Sequence, residues 1–256
     1  MSKFEIFGPN KLAGEIEVYG AKNSAMKMIA AAVMILGKIT LDNVPDILDI
    51  QTIINILSEN GAKITRNGHI LEIDTTNLNA NDPDPDLVKN MRGSIVLIGP
   101  YLARFGKISI PQPGGCAIGA RPIDIHVDGF RQLGVKISED DSLFNFITNG
   151  LEDNNIHLKG ISVTATENIM MTAVLTKGKT TITNVAQEPE IVDLANFLNK
   201  AGAKINGCGT DKIEIEGVEK LNPISYSVIP DRIEAGTFAC LAIATKSPLK
   251  ITNCQT

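Results

Sequence analysis

A ten-residue segment, 113–122, combines a thiol and a guanidinium in the sequence Pro-Gly-Gly-Cys-Ala-Ile-Gly-Ala-Arg-Pro. Three glycines and two prolines in ten residues exclude a regular helix or a central strand, so the segment is predicted to be a loop. Cys116 lies in the middle of this loop, and Arg121 follows five residues later. Because a nearby positive charge makes a thiol more acidic, Cys116 is a candidate for nucleophilic or acid chemistry. Spacing alone leaves a functional cysteine and a buried structural cysteine equally open.

Lys22 lies at the predicted start of a helix. The sequence Gly20-Ala21-Lys22-Asn23-Ser24 precedes an apolar run, 25–36, and either Asn23 or Ser24 is expected to cap the helix. The free N–H groups of a helix start attract anions, and Lys22 adds a full positive charge there. The alternative is an ordinary capped helix with a solvated lysine.

Arg92 is the third basic candidate. A helix is predicted over 86–94 with Asp86 as its cap, which places Arg92 roughly a turn and a half inside it. From that position the guanidinium reaches either a cleft or solvent, and the sequence does not choose between the two.

The composition is that of an ordinary globular chain, with 256 residues, 43% hydrophobic and 21% charged. A net charge of −5 and only 4% aromatic residues argue against nucleic-acid binding, which needs clustered basic residues and stacking rings. The longest apolar run, 28–36, is too short to span a bilayer, and the first residues lack the apolar region of a signal peptide. We therefore expect a soluble cytoplasmic protein that binds neither nucleic acid nor membrane.

The cysteines suggest no metal site. The four of them, Cys116, Cys208, Cys240 and Cys254, share no CxxC spacing, so neither a zinc site nor a disulfide framework is predicted. We expect no metal and no cofactor. The three cysteines outside the loop have strand-like or apolar surroundings, which favours structural roles.

An internal repeat of about 70 residues positions these candidates. Three times an apolar helix runs into Gly-Lys and a strand of alternating polarity, at 37–41, 106–110 and 178–182. A second helix follows each strand, and a hairpin closes each unit. A proline opens each second helix and a glycine ends it in the left-handed conformation. These residues are Pro45 and Gly61, Pro122 and Gly134, and Pro189 and Gly202.

Both ends of the sequence depart from this repeat. Residues 231–253 begin a fourth copy, with an apolar helix-like stretch followed by the strand 248–253. Segments 4–8 and 14–20 are predicted to pair as two strands. We expect both ends to belong to a second, incomplete domain, whose apolar faces favour self-association. The alternative is that they are simple terminal caps.

Several segments resemble those of the UDP-N-acetylglucosamine 1-carboxyvinyltransferases, also called UDP-N-acetylglucosamine enolpyruvyl transferases. They are residues 20–23, 86–94, 113–122, 187–198 and 230–238, and the likeness runs in order over all 256 residues. The resemblance implies an α/β fold, the enolpyruvyl transferase fold, in which inside-out α/β barrels are built from repeated β-α-β-α-β-β units. It implies one complete barrel of three repeats over 22–229. The strand pair 1–21 and the segment 230–256 would then be part of a second, incomplete barrel.

The resemblance also implies a reaction. Enolpyruvate is transferred from phosphoenolpyruvate to the 3-hydroxyl of UDP-N-acetylglucosamine and phosphate is released, which is the first committed step of peptidoglycan synthesis. The chemistry is an addition followed by an elimination, and positive charges around the phosphate and carboxylate stabilise both stages. The partners expected are these two substrates.

The residue roles follow from the same resemblance. Lys22 and Asn23 are expected to bind phosphoenolpyruvate, with Lys22 also catalytic, and Arg121 to bind its phosphate. Cys116 is expected to be the catalytic proton donor and the residue that fosfomycin alkylates. The UDP-sugar site is expected to consist of Arg92, Arg121, Pro122, Ile123, Asp124, Ile125, Ser162 and Val163.

Two departures from the family pattern affect these expectations. The stretch Asp46-Ile47-Leu48 stands where many relatives carry a basic residue, and Gly160 stands where some do, which weakens the expected nucleotide binding. The family's general-base aspartate and several arginines are expected beyond Thr256. The 256-residue chain alone is therefore expected to have little or no turnover.

Two other functions remain open. A sister transferase acting on shikimate 3-phosphate has the same fold, but the cysteine loop and the UDP-sugar residues argue against it. A non-catalytic UDP-sugar-binding module is the other, and the sequence does not separate it from a transferase.

Overall fold

The computed structural model describes residues 3–8, 10–111, 123–140 and 143–254, and for Asn90 and Arg92 the backbone alone. The α-helices in this part of the chain are α1 Lys22–Ala31, α2 Leu48–Glu59, α3 Pro85–Asn90, α4 Ile98–Phe105, α5 Asp124–Gln132, α6 Val163–Ala173, α7 Pro189–Lys200 and α8 Arg232–Thr245. Two 3₁₀ segments are Ala32–Met34 and Arg92–Leu97.

The β-strands of the same part are short. They are β1 Gly14–Glu17, β2 Lys38–Asp42, β3 Lys63–Asn67, β4 Ile70–Asp74, β5 Lys107–Pro111, β6 Lys136–Asp140, β7 Leu143–Ile147, β8 Asn155–His157, β9 Lys179–Thr183, β10 Lys204–Asn206, β11 Lys212–Glu216, β12 Ser225–Ser227 and β13 Leu249–Thr252. The chain is thus α/β, as the sequence predicts.

The three predicted repeats are confirmed. They run α1-β2-α2-β3-β4, α4-β5-α5-β6-β7 and α6-β9-α7-β10-β11. Each repeat builds one sheet, with strand orders β12-β2-β4-β3, β5-β7-β6 and β10-β11-β9-β8. Within each repeat the three strands are antiparallel, while β12 and β8 add to β2 and β9 in parallel.

The first helix of each repeat lies in the core. All residues from Ser24 to Ala31 of α1 and from Ala165 to Ala173 of α6 are buried, as are the first five of α4. A helix that is buried on every side has to be surrounded by other elements, and the sheets and the neighbouring helices provide that cover. The second helices α2 and α7 instead bury one face only.

Glycine ends each second helix as predicted. Gly61, Gly134 and Gly202 follow α2, α5 and α7 with φ of +98°, +80° and +109°, a region that side chains with a Cβ rarely adopt. The hairpin of β3 and β4 turns at Gly68, with φ of +58°. The first hairpin turn is therefore also confirmed.

An asparagine with positive φ follows three of the strands. Asn43, Asn184 and Asn253 have φ of 58°, 59° and 51° and follow β2, β9 and β13. Each side-chain amide donates to a carbonyl just after the parallel partner strand, at 2.9 Å, 2.7 Å and 2.7 Å. The acceptors are the carbonyls of Val228, Leu158 and Val18. The pair β1–β13 therefore repeats the local geometry of β12–β2 and β8–β9, as the predicted fourth copy requires.

The predicted pairing of 4–8 with 14–20 is wrong. Residues 4–8 form no strand, and β1 pairs in parallel with β13 through Ile16 and Ile251. The side-chain amide of Asn253, which follows β13, also donates to the carbonyl just after β1. Phe4 and Ile6, by contrast, are 98% and 87% exposed. The boundaries at 22 and 229 and the barrel arrangement remain predictions.

Two predicted helix starts are corrected as well. Ala21 precedes α1 without a side-chain cap, so neither Asn23 nor Ser24 caps it. Asp84, not Asp86, caps α3 by accepting from the N–H groups of residues 86 and 87, because Pro85 occupies the first helical position. The helix ends at Asn90, so Arg92 begins a 3₁₀ segment and does not lie inside a helix.

Candidate active site

Lys22 is the first residue of α1, and its ammonium is paired. Its Nζ lies 2.7 Å from Oδ2 of Asp49, which belongs to the first turn of α2. Both side chains are about two-fifths exposed, at 41% and 42%, so solvent and solutes reach the pair. The backbone N–H of Lys22 donates to Oδ2 of Asp231 at 3.3 Å. The start of α1 thus has one accessible cation with two carboxylates beside it.

Ser162 and Val163 lie at the start of α6. Ser162 is the N-cap, and its hydroxyl accepts a hydrogen bond from the N–H of Ala165 at 3.3 Å. Both residues are partly exposed, and Ile161 before them is 68% exposed. The predicted UDP-sugar residues of the third repeat therefore occupy an accessible helix start.

The start of α5 lies against the start of α6. His126 is buried and its two ring nitrogens lie 3.1 Å from Oγ1 of Thr164 and 3.1 Å from Nδ2 of Asn168. Ile123 is buried before the helix, whereas Asp124 is exposed. A side chain at Gly160 would meet Ile125 at 3.2 Å. The structure thus brings 123–125 and 160–163 together, as a shared site requires.

Arg92 begins the 3₁₀ segment Arg92–Leu97, which packs against both α1 and α6. The approach to α1 is close, because a Cβ at Gly93 would lie 2.5 Å from Sδ of Met26. On the other side, the carbonyl of Ile95 accepts from Nδ2 of Asn168 at 2.9 Å. The segment therefore bridges the two helices whose starts carry predicted site residues. The side chain of Arg92 and all of Cys116, Arg121 and Pro122 lie outside the described residues.

Sequence reasoning missed Asp49, Asp231, Glu190 and Arg232. Arg232, the first residue of α8, donates from Nε and Nη2 to the two carboxylate oxygens of Glu190 at 3.0 Å and 3.1 Å. Asp231 caps α8 and also holds the start of α1. Glu190, Asp231 and Arg232 lie in the segments 187–198 and 230–238 that resemble the family, but nothing in the sequence indicated their pairing.

A buried ion pair joins α1 to α6. Nζ of Lys27 lies 3.3 Å from Oε2 of Glu167, and the two side chains are 3% and 0% exposed. Burial raises the pKa of Glu167 to about 7, while Lys27 opposes the rise and Glu190 and Glu188 add to it. Charge is therefore concentrated in the core below the predicted site.

The second helix of the first repeat presents an apolar start. Leu48, the first residue of α2, is 80% exposed and lies next to Asp49. Gly160 has no side chain to offer. Neither position, where relatives were expected to carry basic residues, contributes a cation to the predicted site.

Other site types find no support in the described ranges. Within them no three side chains of His, Cys, Asp or Glu converge as metal ligands. None of the helices in that part of the chain has the length and apolar character that a membrane crossing requires. Burial raises the pKa of the Cys208 thiol to about 11, which leaves it protonated and unreactive at neutral pH.

Comparison with known proteins adds to this geometry. The chain is 44% identical over 248 residues to a UDP-N-acetylglucosamine 1-carboxyvinyltransferase of Hydrogenovibrio crunogenus, covering 96% of this chain and 59% of that protein. It is 46% identical over 254 residues to the protein of the same name from Tolumonas auensis, covering 99% and 60%. The chain therefore spans about three-fifths of the length of these curated relatives.

A solved structure and a family model agree on the fold. The enolpyruvyl transferase NikO from Streptomyces tendae superposes with a TM-score of 0.80 at 24% identity, covering 91% of this chain and 56% of that one. The family model for EPSP synthase (3-phosphoshikimate 1-carboxyvinyltransferase) matches residues 6–256. Because this match extends over nearly the whole sequence, the chain belongs to the enolpyruvyl transferase family, with the UDP-N-acetylglucosamine 1-carboxyvinyltransferases among its relatives.

Proposed function

We propose that this chain carries substrate-binding and catalytic residues of a UDP-N-acetylglucosamine 1-carboxyvinyltransferase. In the proposed reaction, enolpyruvate passes from phosphoenolpyruvate to the 3-hydroxyl of UDP-N-acetylglucosamine and phosphate leaves. The observation that carries the proposal is identity of 44–46% to enzymes of that name over nearly the whole chain. The proposal also places the protein in the cytoplasm, because phosphoenolpyruvate is a metabolite of that compartment.

The start of α1 suits the phosphoenolpyruvate end of this reaction. Lys22 is accessible, and the first N–H groups of a helix favour negative charge. An ammonium has three N–H donors, and the carboxylate of Asp49 occupies one of them. The remaining donors of Lys22 are available for phosphate or carboxylate oxygens of the ligand, with Asn23 beside them.

The starts of α5 and α6 suit the UDP-sugar. Residues 123–125 and 162–163 come together there next to the segment that begins at Arg92, and all of them except the buried Ile123 are at least partly exposed. Cys116, Arg121 and Pro122 complete the proposed site, with Cys116 as the proton donor to C3 of phosphoenolpyruvate. Leu48 and Gly160 supply no positive charge to the diphosphate, so nucleotide affinity is expected to be lower than in relatives with basic residues at both positions.

Binding and labelling test this proposal without relying on turnover. Titration calorimetry of the purified chain with UDP-N-acetylglucosamine is expected to show saturable binding, and shikimate 3-phosphate is expected to show none. Fosfomycin in the presence of UDP-N-acetylglucosamine is expected to add the mass of one adduct at Cys116. Cys116→Ser is the matched control, and Cys208, Cys240 and Cys254 are internal controls. Binding of shikimate 3-phosphate in place of the UDP-sugar would overturn the assignment.

Release of phosphate separates a transferase from a binding module. Incubation with both substrates is followed by measurement of inorganic phosphate over time. Release that depends on UDP-N-acetylglucosamine supports the transferase. Saturable binding without release supports the non-catalytic binding module.

A further inference from the structure

The ion pair Lys27–Glu167 is unusual in its burial. Both side chains lie in the core, at 3% and 0% exposure. Within the described part of the chain neither oxygen of Glu167 accepts a hydrogen bond of ordinary geometry. Glu190 and Glu188, at the start of α7, bring further negative charge towards Glu167.

Such a pair is a poor source of stability. Removing two charges from water is costly, and their mutual attraction repays that cost only with good geometry and additional hydrogen bonds. Here the N···O distance is 3.3 Å and the additional hydrogen bonds are lacking among the described residues. Apolar residues of the same size would fill this space at least as favourably, so stability does not explain the pair.

The position of the pair points to a different role. Lys27 follows Lys22 by five residues in α1, and Glu167 follows Ser162 by five residues at the start of α6. Five residues correspond to about 7.5 Å along a helix. The pair therefore joins the two helices between one and two turns below their starts, which carry a predicted phosphoenolpyruvate residue and a predicted UDP-sugar residue.

Few direct backbone contacts hold these helices together. The 3₁₀ segment Arg92–Leu97 packs between them, and α7 contacts both. Lys27 and Glu167 are thus a direct charged contact between α1 and α6 at this level. A directional contact fixes rotation and sliding of one helix against another, whereas apolar packing tolerates rearrangement.

We infer that Lys27 and Glu167 are positioning residues that fix the start of α1 relative to the start of α6, so that Lys22 and Ser162 face one bound UDP-sugar and its reaction partner. The inference rests on the proposed function for the identity of the ligand. The fixed spacing of the helix starts does not depend on that identity.

The test compares full-chain variants that remove one charge or both. Glu167→Met leaves the buried ammonium of Lys27 without its partner, and Lys27→Met leaves Glu167 without the cation that opposes the rise of its pKa. The double variant Lys27→Met/Glu167→Met replaces the pair with apolar side chains of similar length. Glu167→Gln keeps the shape and removes only the charge, so it remains informative if a methionine variant fails to fold. The exposed pair Lys38–Glu72, at 2.8 Å on the surface, supplies the matched control Lys38→Met/Glu72→Met.

Three measurements are made on each variant. Urea unfolding gives the global midpoint, and calorimetry gives the Kd for UDP-N-acetylglucosamine. Amide hydrogen exchange of the ligand-free protein reports on the first turns of α1 and α6. A purely structural role predicts that affinity and local exchange follow the global midpoint.

The positioning role predicts that the Kd and the local exchange change even where the global urea midpoint does not. The double variant is expected to recover the parent's urea midpoint, while its Kd stays about tenfold weaker, equivalent to about 1.4 kcal/mol. Its first turns of α1 and α6, and those of Glu167→Gln, are expected to exchange faster than in the parent and in the surface control. Parent-like Kd and exchange in a stable double variant would overturn the inference. If the parent itself binds no UDP-N-acetylglucosamine, the proposed function fails, and the exchange data still decide this inference.

Discussion

The carboxylate of Asp49 lies 2.7 Å from the ammonium of Lys22 and joins the start of α2 to the start of α1. The pair is partly exposed, so its attraction is moderate and screened by salt. A ligand anion that binds Lys22 therefore meets a negative side chain already in place. This arrangement limits the affinity of the site for anions and keeps the lysine oriented in their absence.

Asp49→Asn is expected to strengthen the binding of phosphoenolpyruvate. The amide keeps an acceptor for Lys22 but removes the charge that competes with the ligand, a change of about 0.5–1 kcal/mol or roughly two- to fivefold in Kd. Calorimetry at low and high salt measures the effect, which is expected to shrink as salt rises. Asp46→Asn, which changes a 75% exposed aspartate just before α2, is the control. Equal affinity in Asp49→Asn and the parent would contradict the prediction.

Glu167 is expected to make stability depend on pH. Burial raises its pKa from 4.5 to about 7 in the folded protein, so between these values the folded state binds more protons than the unfolded state. The stabilising contribution is therefore complete below about pH 4.5 and is lost as pH rises through 7, a change of about 3 kcal/mol.

Glu167→Gln removes this titration and leaves the other carboxylates unchanged. The free energy of unfolding of Glu167→Gln minus that of the parent is expected to rise from pH 5 to pH 8. Urea unfolding at four pH values in this range measures the difference. Parallel profiles for the two proteins would show that Glu167 does not titrate there.

Arg232→Met is expected to destabilise the protein by about 1–3 kcal/mol, because a buried acceptor loses its charged partner. Glu190, whose side chain is only 3% exposed, accepts two hydrogen bonds from Arg232. Lys250→Met, which breaks the exposed pair with Glu15, is the control and is expected to cost less than about 1 kcal/mol. Urea unfolding measures the free energy of unfolding of both variants. Equal losses of that free energy would show that Glu190 does not depend on its hydrogen bonds from Arg232.

Gly20→Ala is expected to destabilise strongly, by about 1–3 kcal/mol or more, since a backbone atom has to move. Gly20 lies two residues before Lys22. A Cβ at this position would lie 1.7 Å from the carbonyl oxygen of Asn43. Gly236→Ala in the exposed helix α8 meets nothing within 4 Å and is expected to stabilise by up to about 1 kcal/mol. Thermal unfolding of both variants checks the opposite signs.

The repeat was predictable because its signals are local. Alternating polarity marks β2, β5 and β9, and glycines with positive φ mark the ends of α2, α5 and α7. Each signal lies within a few residues of the element it specifies. Three copies at similar spacing made the α/β unit recognisable even where a single copy is ambiguous.

The helix starts were less predictable because several polar residues compete for one cap. Asp84 and Asp86 flank Pro85, and only the structure shows that Asp84 accepts the two hydrogen bonds. At α1 the start is held by Asp231, 209 residues away in sequence, so no local cap was needed. A contact of that separation leaves no mark in the residues around Lys22.

The charge pairs of the site region were not predictable at all. In the sequence Lys27 is a single charged residue in an apolar run, and Glu167 has the pattern of an ordinary helix residue. Their pairing depends on how the first and third repeats pack against each other, and a single sequence does not show that packing. The same is true of β1, whose partner β13 lies at the other end of the described chain.

The parallel pairing of β12 with β2 has a consequence for synthesis on the ribosome. Ser225 pairs with Thr40 and Ser227 with Asp42, so the sheet of the first repeat takes its fourth strand from residues made 185 positions later. At elongation rates of about 5–20 residues per second, the edge of β2 waits roughly 10–40 s for that strand. Throughout that interval the nascent chain exposes an unpaired strand edge, a substrate for chaperones and a point where premature termination leaves an aggregation-prone fragment.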